Sequence, residues 1–238
     1  MMTITAAGAT RGRSPLTTSQ RLRAGIARVR PRLEAAAARV WSHPSVRDLY
    51  ASYLIAVHGL IRASVPLMEA ALGRAQERAP DDAVAAAMVD YLSGHIPEER
   101  GHDEWVLEDL EAVGGSRQDA LDQFPSLSTA RAVGAQYYWI HHVHPVALLG
   151  FIAVLEGHPP SVAGLDQLVR ITGLPKAAFR TLYGHARLDV GHRDDLDDLL
   201  DRLPLDERLA SLMEKSAVHT IDQLTGTIEE IIPAPAGD

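Results

Sequence analysis

The chain has 238 residues, of which 46% are hydrophobic, and it carries a formal net charge of −8. It contains no cysteine, which excludes disulfides, iron–sulfur clusters, thiolate nucleophiles and thiolate-bound zinc or heme. The acidic charge, with only two lysines, disfavours nucleic acid as a partner because phosphate binding needs concentrated Lys and Arg. Eleven histidines are present, so any catalysis has to rely on imidazole and carboxylate groups.

The N-terminal twenty residues lack the apolar stretch of a secretory signal. The longest apolar run, residues 143–155, contains Pro145 and is followed by Glu156, so it is too short and too polar for a membrane span. We therefore expect a cytoplasmic protein that does not insert into a membrane.

Apolar residues recur at three- and four-residue spacing, which is the helical period, and strand signals are nearly absent. The pattern predicts helices over residues 18–41, 45–77, 81–93, 97–113, 127–156, 161–172, 175–202 and 205–231. No linker long enough to separate two domains occurs, so we predict a single all-α bundle of seven or eight helices. The domain is expected to cover residues 18–232, with 1–17 a disordered leader and 233–238 a flexible tail.

The helix predicted over 175–202 carries His185, Asp189 and His192 at positions i, i+4 and i+7. These positions fall within about 60° of one another around a helix, so the three side chains share one face. Two imidazoles and a carboxylate are a suitable ligand set for a divalent metal ion. The alternative is a solvated helix face, which is how we interpret the aspartates that follow.

A second histidine–carboxylate pair follows Pro97. Glu99 and His102 are three residues apart and hence neighbours on a helix surface. Proline is tolerated in a first helical turn, so this helix is predicted to begin near residue 96, with His95 at its rim. His95 is then either a residue that contacts the metal ligands without binding metal itself, or a polar residue with no role at the site. Glu98 is expected to be exposed.

Two further carboxylates complete a repeated order along the chain. Glu156 follows an apolar segment, and Glu69 lies on the same predicted helix face as His58 and Arg62. Each is either a metal ligand or a carboxylate that faces solvent. Each half of the chain thus offers a lone carboxylate followed by a carboxylate-x2-His pair, which is how four-helix bundles bind two metal ions. The four negative charges of these carboxylates would also balance the four positive charges of two ferrous ions. The carboxylates are those of Glu69, Glu99, Glu156 and Asp189.

In these motifs the sequence resembles the heme-oxygenase-like diiron oxidases, also described as iron-containing redox enzymes. The matching segments are His58-x2-Arg62-Ala-Ser-Val-Pro-Leu, Glu98-Glu99-Arg-Gly-His102-Asp-Glu-Trp, the run from Tyr137 to Pro145, Leu155-Glu156-Gly157 and His185-x3-Asp189-x2-His192. The resemblance implies a heme-oxygenase-like up-and-down bundle with two iron ions and O2 as co-substrate. It implies that the iron ligands are Glu69, Glu99, His102, Glu156, His185, Asp189 and His192. Some members have a carboxylate at the position of His95, which leaves open whether His95 or Glu99 completes the shell of one iron.

The resemblance implies oxidation of a small substrate by N-oxygenation, hydroxylation, desaturation or C–C cleavage, with no catalytic residue beyond the metal ligands. On one helix over residues 127–156, Tyr138 and His142 lie within about 40° of the direction of Glu156, so they are expected to line the substrate pocket, or else to form an aromatic core face. Arg62 is expected to bind a substrate carboxylate or to neutralise a structural acid, which weakly favours an amino-acid-like or carboxylic substrate. His58 is a further pocket candidate, since heme-binding relatives use one histidine of the first helix.

Two other functions compete with this prediction. One is a ferritin-like iron-binding or peroxide-scavenging protein without an organic substrate, and the other is a helical interaction domain without metal. The oxidase prediction also leaves room for an external electron donor and for a homodimer.

Overall fold

The computed structural model describes residues 15–232, so most of the predicted leader and the predicted tail at 233–238 lie outside the described residues. The described range forms α-helices, one short 3-10 helix and no strand, which confirms the predicted all-α class. The α-helices are α1 Thr18–Trp41, α2 Val46–Ile61, α3 Ser64–Arg78, α4 Ala83–Glu99, α5 His102–Ala112, α6 Arg117–Asp122, α7 Leu127–His142, α8 Ala147–Leu155, α9 Val162–Thr172, α10 Arg180–Arg202 and α11 Glu207–Ile231, with the 3-10 helix at Lys176–Phe179.

The helix boundaries near Pro97 differ from the prediction. Helix α4 continues through Pro97 to Glu99, because its buried residues Leu92 and Ile96 extend the apolar face into the last turn. The chain breaks instead at Gly101, whose φ of 91° is a conformation that residues with a side chain rarely adopt. His95 is therefore inside a helix, and the prediction that it lies at a helix rim is wrong.

Two other predicted helices are each divided in the structure. The helix predicted over 45–77 is interrupted between α2 and α3, and the one predicted over 127–156 is interrupted between α7 and α8. The second interruption follows from the sequence His144-Pro145, because proline disfavours helical conformation in the residue before it. The division of 127–156 matters for the site, since positions in α7 no longer predict directions in α8.

Helix α8 is central to the bundle. All of its residues from Ala147 to Val154 are buried, as expected for a helix that is apolar on every side. It packs against α11 at Gly150, where an added Cβ would lie 2.2 Å from the carbonyl oxygen of Met213. This close contact places the end of α8, and hence Glu156, inside the protein.

Helices α2 and α3 together form a segment, Val46–Arg78, that is long enough and apolar enough to span a membrane, judged by its length and composition alone. The core helix of a soluble bundle has the same composition, and this segment buries Tyr50, Leu54, Leu67 and Met68 against the other helices. That the protein does not insert into a membrane stays a prediction.

The start of α4 is fixed by Asp82. Its carboxylate accepts hydrogen bonds from the backbone N–H groups of Val84 at 3.1 Å and Ala85 at 3.0 Å, which makes Asp82 the N-cap of the helix. The same carboxylate accepts from His144 Nε2 at 2.9 Å and Arg78 Nε at 3.2 Å. Burial acts to raise the pKa of Asp82, but these hydrogen bonds outweigh it and lower that pKa to about 2.

We predict that Asp82→Ala lowers the free energy of unfolding of the metal-free protein by about 1–2 kcal/mol at neutral pH, because α4 loses its cap. A carboxyl group with a depressed pKa stabilises the fold above its unfolded-state pKa of about 4. The difference from wild type should therefore shrink as pH falls from about 4 to about 2. Urea unfolding across pH measures it, with the exposed neighbour Asp81→Ala as control. An equal effect of both substitutions would contradict the capping role.

Candidate metal centre

Imidazoles and carboxylates from four parts of the chain meet in the interior. Helix α4 contributes His95 and Glu99, the first residue of α5 is His102, Glu156 caps α8, and α10 contributes His185, Asp189 and His192. All of these side chains are buried except that of His185, which is half-buried. Six of the seven ligands predicted from the sequence are therefore close together, and His95 joins them.

One side of this cluster contains four buried atoms without a hydrogen-bond partner among the described residues. They are Glu99 Oε1, Glu156 Oε2, Asp189 Oδ1 and His192 Nδ1. His192 Nδ1 lies 3.5 Å from the Glu99 atom, 3.7 Å from the Glu156 atom and 3.9 Å from the Asp189 atom. Buried polar atoms are rarely left unpaired, so four that face one another need an explanation. A cation between them supplies one.

The other side of the cluster is formed by His102 and His185. Glu99 Oε2 accepts a hydrogen bond from His102 Nδ1 at 3.1 Å, and the rings of His102 and His185 lie 4.9 Å apart. His185 Nδ1 donates to the carbonyl oxygen of Thr181 at 3.0 Å, which leaves its Nε2 as the lone-pair nitrogen. One atom each from Glu99, His102 and His185 lie within 4.8 Å of one another. The two oxygens of Glu99 thus face two different sets of ligand atoms.

His95 enters the cluster because α4 is continuous past Pro97. Its Nε2 donates to Glu156 Oε1 at 3.0 Å, and His95, Glu99, Glu156 and His192 form a second group of ligand atoms within 4.8 Å. Burial acts to lower the pKa of His95, but the hydrogen bond and charge of Glu156 outweigh it and raise that pKa to about 9. Without a metal ion, His95 therefore carries a positive charge at neutral pH.

In the absence of a metal ion, burial and the neighbouring charges change the pKa values of the three carboxyl groups. Burial, together with the charges of Glu156 and Glu99, raises the pKa of Asp189 to about 8. Burial also raises the pKa of Glu156, although the hydrogen bond from His95 opposes it. Burial also acts to raise the pKa of Glu99, but the hydrogen bond from His102 and the nearby imidazoles outweigh it and lower the pKa of Glu99. Oxygen and imidazole ligands of this kind suit divalent iron, so the donor set fits the metal that the resemblance implies.

Two contacts hold the ligand-bearing elements in place. The buried carboxylate of Asp109 in α5 accepts hydrogen bonds from the backbone N–H groups of Arg180 and Thr181, both at 2.9 Å, and so caps α10 from a neighbouring helix. Arg23 donates to the carbonyl oxygen of Ala153 at 2.9 Å and pairs with Asp197 at 2.8 Å. These contacts join α5 to α10, and α1 to both α8 and α10.

The structure does not bring Glu69 to the cluster. Its carboxylate pairs with Arg100 at 2.9 Å, and 51% of its side chain is exposed. The charge-balance argument that favoured Glu69 failed because it counted carboxylates without knowing which helix faces are turned inward. On α3, the buried residues are Leu67, Met68 and Ala71, and Glu69 lies on the opposite side.

The predicted pocket residues also lie apart from the cluster. Tyr138 is 61% exposed and His142 is exposed, with their rings 4.9 Å apart on the outer face of α7. Their placement in the pocket was wrong because it assumed one helix over 127–156. Arg62 is exposed and lines a different cavity, of about 230 Å³, between α2 and α11. His58 is buried, and burial lowers its pKa, but it belongs to neither group of ligand atoms.

Tyr91 is a residue that the sequence analysis missed. Its ring stacks on that of His95 at 5.3 Å, and its hydroxyl is buried without a partner among the described residues. Burial and the charge of Glu156 raise its pKa well above the usual value. Tyr91 lies four residues before His95, so a helix continued through Pro97 would have placed both on one face. It also lines an acidic cleft of about 700 Å³ between α4 and α10.

Comparison with known proteins adds a family and a fold. A family model described as "Iron-containing redox enzyme" matches residues 61–222, a range that includes every residue of the cluster. No curated protein matches the chain.

Solved structures resemble the fold at low sequence identity. A protein of Shewanella denitrificans, described as a domain of unknown function with a heme oxygenase-like fold, is 17% identical over 89% of each chain, with a TM-score of 0.71. A heme oxygenase from Leptospira interrogans is 17% identical, with a TM-score of 0.63 over 90% of this chain and 100% of that one. A TenA homolog from Pseudomonas syringae is 13% identical, with a TM-score of 0.62 over 87% and 92%. These likenesses confirm the predicted heme-oxygenase-like fold.

We predict that Asp189→Asn stabilises the metal-free protein at neutral pH by about 1 kcal/mol or more. Burial raises the pKa of Asp189 to about 8, so folding must bury its charge or take up a proton, and the isosteric amide needs neither. Chemical unfolding in the presence of a chelator measures the change. Asp198→Asn is the control, since Asp198 lies exposed on the same helix and should leave the stability unaltered. A loss of stability in Asp189→Asn would mean that the carboxylate is structural.

Proposed function

The chain belongs to the iron-containing redox enzyme family, and we propose that it is a non-heme diiron oxidase or oxygenase that uses O2 to oxidise a small organic substrate. One observation carries the proposal. Four buried ligand atoms that have no hydrogen-bond partner within residues 15–232 face one another on one side of Glu99, and two imidazoles face the other oxygen of the same carboxylate. A carboxylate in that position is suited to connect two metal ions.

The residues divide between two metal positions. Glu156, Asp189, His192 and His95 would hold one iron, and His102 and His185 would hold the other. Bound iron would supply the reduction of O2. The protein contributes burial, which excludes bulk water and strengthens every charge interaction at the site. Thr181 keeps the proton of His185 on Nδ1 and so directs Nε2 to the metal.

Two competing functions account for less of the structure, and a third differs from the proposal only in its substrate. A heme bound through His58 would not pair the carboxylate cluster, because His58 belongs to neither group of ligand atoms. A helical interaction domain would bury the same carboxylates without compensation. The ferritin-like alternative also uses two iron ions, and it differs in lacking an organic substrate.

A groove beside His102 favours an organic substrate. The ring of Trp105 lies 4.1 Å from that of His102, tilted by 31°, and Trp105 lines a groove of about 310 Å³. Lys176, Arg180 and Arg187 line the same groove. Lys176 pairs with Asp166 and Arg180 with Glu108, whereas no carboxylate lies within 4 Å of Arg187 in the range 15–232. We propose that a substrate carboxylate binds at Arg187, a role the sequence analysis gave to Arg62.

The metal assignment predicts which substitution removes which metal ion. The wild type should bind two Fe(II) per chain after anaerobic loading. His102→Ala should lose one ion and His192→Ala the other, whereas Glu99→Ala should lose both because its two oxygens face both positions. Iron analysis together with Mössbauer spectra measures the occupancy of each position. Fewer than one iron per wild-type chain would overturn the diiron proposal.

Glu69→Ala is the matched control for that series. Its carboxylate pairs with Arg100 at the surface, so this variant should keep both ions. Circular dichroism of each variant verifies that the bundle remains helical. Loss of iron in Glu69→Ala would show that Glu69 is a ligand after all.

The substrate proposal predicts an effect of small carboxylic acids on the reaction with O2. Mixing the loaded protein with O2 should give an optical transient whose decay accelerates when a suitable amino acid or fatty acid is present. Arg187→Ala should raise the acid concentration required by about 10-fold or more, since a charge-assisted hydrogen bond contributes about 1.5–3 kcal/mol. Arg170→Ala, on α9, is the control. Accumulation of many iron atoms per chain, with no response to any acid, would favour the ferritin-like alternative.

The predicted electron donor, cellular location and oligomeric state belong to the same proposal. An external electron donor would be needed if the substrate does not supply all the electrons that O2 consumes. We keep a cytoplasmic location and a homodimer as further parts of the proposal.

A further inference from the structure

We infer that Glu98 is a positioning residue that orients the imidazoles of His95 and His192 toward the metal. The inference rests on the proposed function, since it concerns the binding of metal at the side of the cluster where these two histidines meet. The sequence analysis had expected Glu98 to be merely exposed, and 58% of its side chain does face solvent. Its position relative to the two imidazoles gives it a role all the same.

A single oxygen of Glu98 faces both rings. Glu98 Oε2 lies 3.4 Å from His95 Nδ1 and 3.5 Å from His192 Nε2. The opposite nitrogens of the two rings face the cluster, with His95 Nε2 at 3.0 Å from Glu156 Oε1 and His192 Nδ1 at 3.5 Å from Glu99 Oε1. The rings are nearly perpendicular, at 89°, with centroids 4.6 Å apart. The Glu98 oxygen therefore lies behind both imidazoles.

An imidazole that binds a metal through one nitrogen carries a proton on the other. An acceptor for that proton fixes both the tautomer and the ring orientation, and a carboxylate acceptor also makes the ligand more basic. His185 has such an acceptor in the carbonyl oxygen of Thr181. His95 and His192 share Glu98 for the same purpose, because its Oε2 is the atom that faces both outer nitrogens.

Two features of the chain support this role. Glu98 and Glu99 are consecutive on α4, so their side chains diverge by about 100° around the helix, and one enters the cluster while the other lies behind it. Charge gives the second reason. With Glu69 outside, the buried carboxylates Glu99, Glu156 and Asp189 leave one positive charge of two ferrous ions unbalanced, and Glu98 supplies the fourth carboxylate.

The test uses Co(II) as a probe that binds in place of iron. Glu98→Ala should lower the affinity for Co(II) at the His95 and His192 position by about 10–100-fold, the usual effect of removing such an acceptor. Glu98→Gln keeps an acceptor oxygen and should keep part of the affinity. In the Co(II)-loaded wild type, the ring N–H protons of His95 and His192 should give paramagnetically shifted, exchangeable NMR signals. Both signals should be lost together by rapid exchange in Glu98→Ala.

Asp198→Asn is the matched control. Asp198 lines the same acidic cleft as Glu98, so the substitution removes the same charge without touching either imidazole. It should retain the wild-type affinity and both N–H signals. The inference would be overturned if Glu98→Ala and Asp198→Asn had the same Co(II) affinity and the same N–H signals. It would also be overturned if Glu98→Ala lowered the free energy of unfolding of the metal-free protein by as much as it lowered the free energy of Co(II) binding. If the wild type itself bound no Co(II), the proposed function would fail and the inference with it.

Discussion

The structure depends on three carboxylates that are buried next to one another, those of Glu99, Glu156 and Asp189. Taking such groups out of water costs several kcal/mol each unless positive charge compensates them, so a core of this kind needs a cation. In the metal-free chain the imidazole of His95 supplies part of that charge, while four ligand atoms find no partner in the part of the chain that the structure describes. This imbalance connects the fold to the family: the residues that weaken the metal-free core are those that the proposed metal site would use.

The rest of the bundle holds these groups together against their repulsion. Asp82 caps α4, Asp109 caps α10 from α5, and Arg23 joins the end of α8 to α10. Each contact ends at an element that carries a member of the cluster, yet none of these residues is a ligand. Gly150 contributes by letting α8 approach α11 closely enough to bury Glu156. The apolar core therefore both stabilises the protein and excludes water from the cluster.

Features that lie within one helix were predictable from the sequence. The spacing of His185, Asp189 and His192 placed all three on one face, and α10 brings that face to the cluster. Errors arose where the prediction crossed a helix break. Tyr138 was assigned to the pocket by counting through the interruption before α8, and Tyr91 was missed because the helix was ended before Pro97.

The sequence by itself determined the all-α class, the absence of thiolate chemistry and most of the residues that make up the cluster, because periodicity and composition are local properties. Only the tertiary structure decided which carboxylates lie together. From the sequence, Glu69 was expected to be a ligand and Glu98 to be exposed. Helix packing turns Glu69 toward Arg100 at the surface and brings Glu98 behind two imidazoles. That difference depends on the rotation of each helix about its axis, which is set by contacts between residues far apart in the chain.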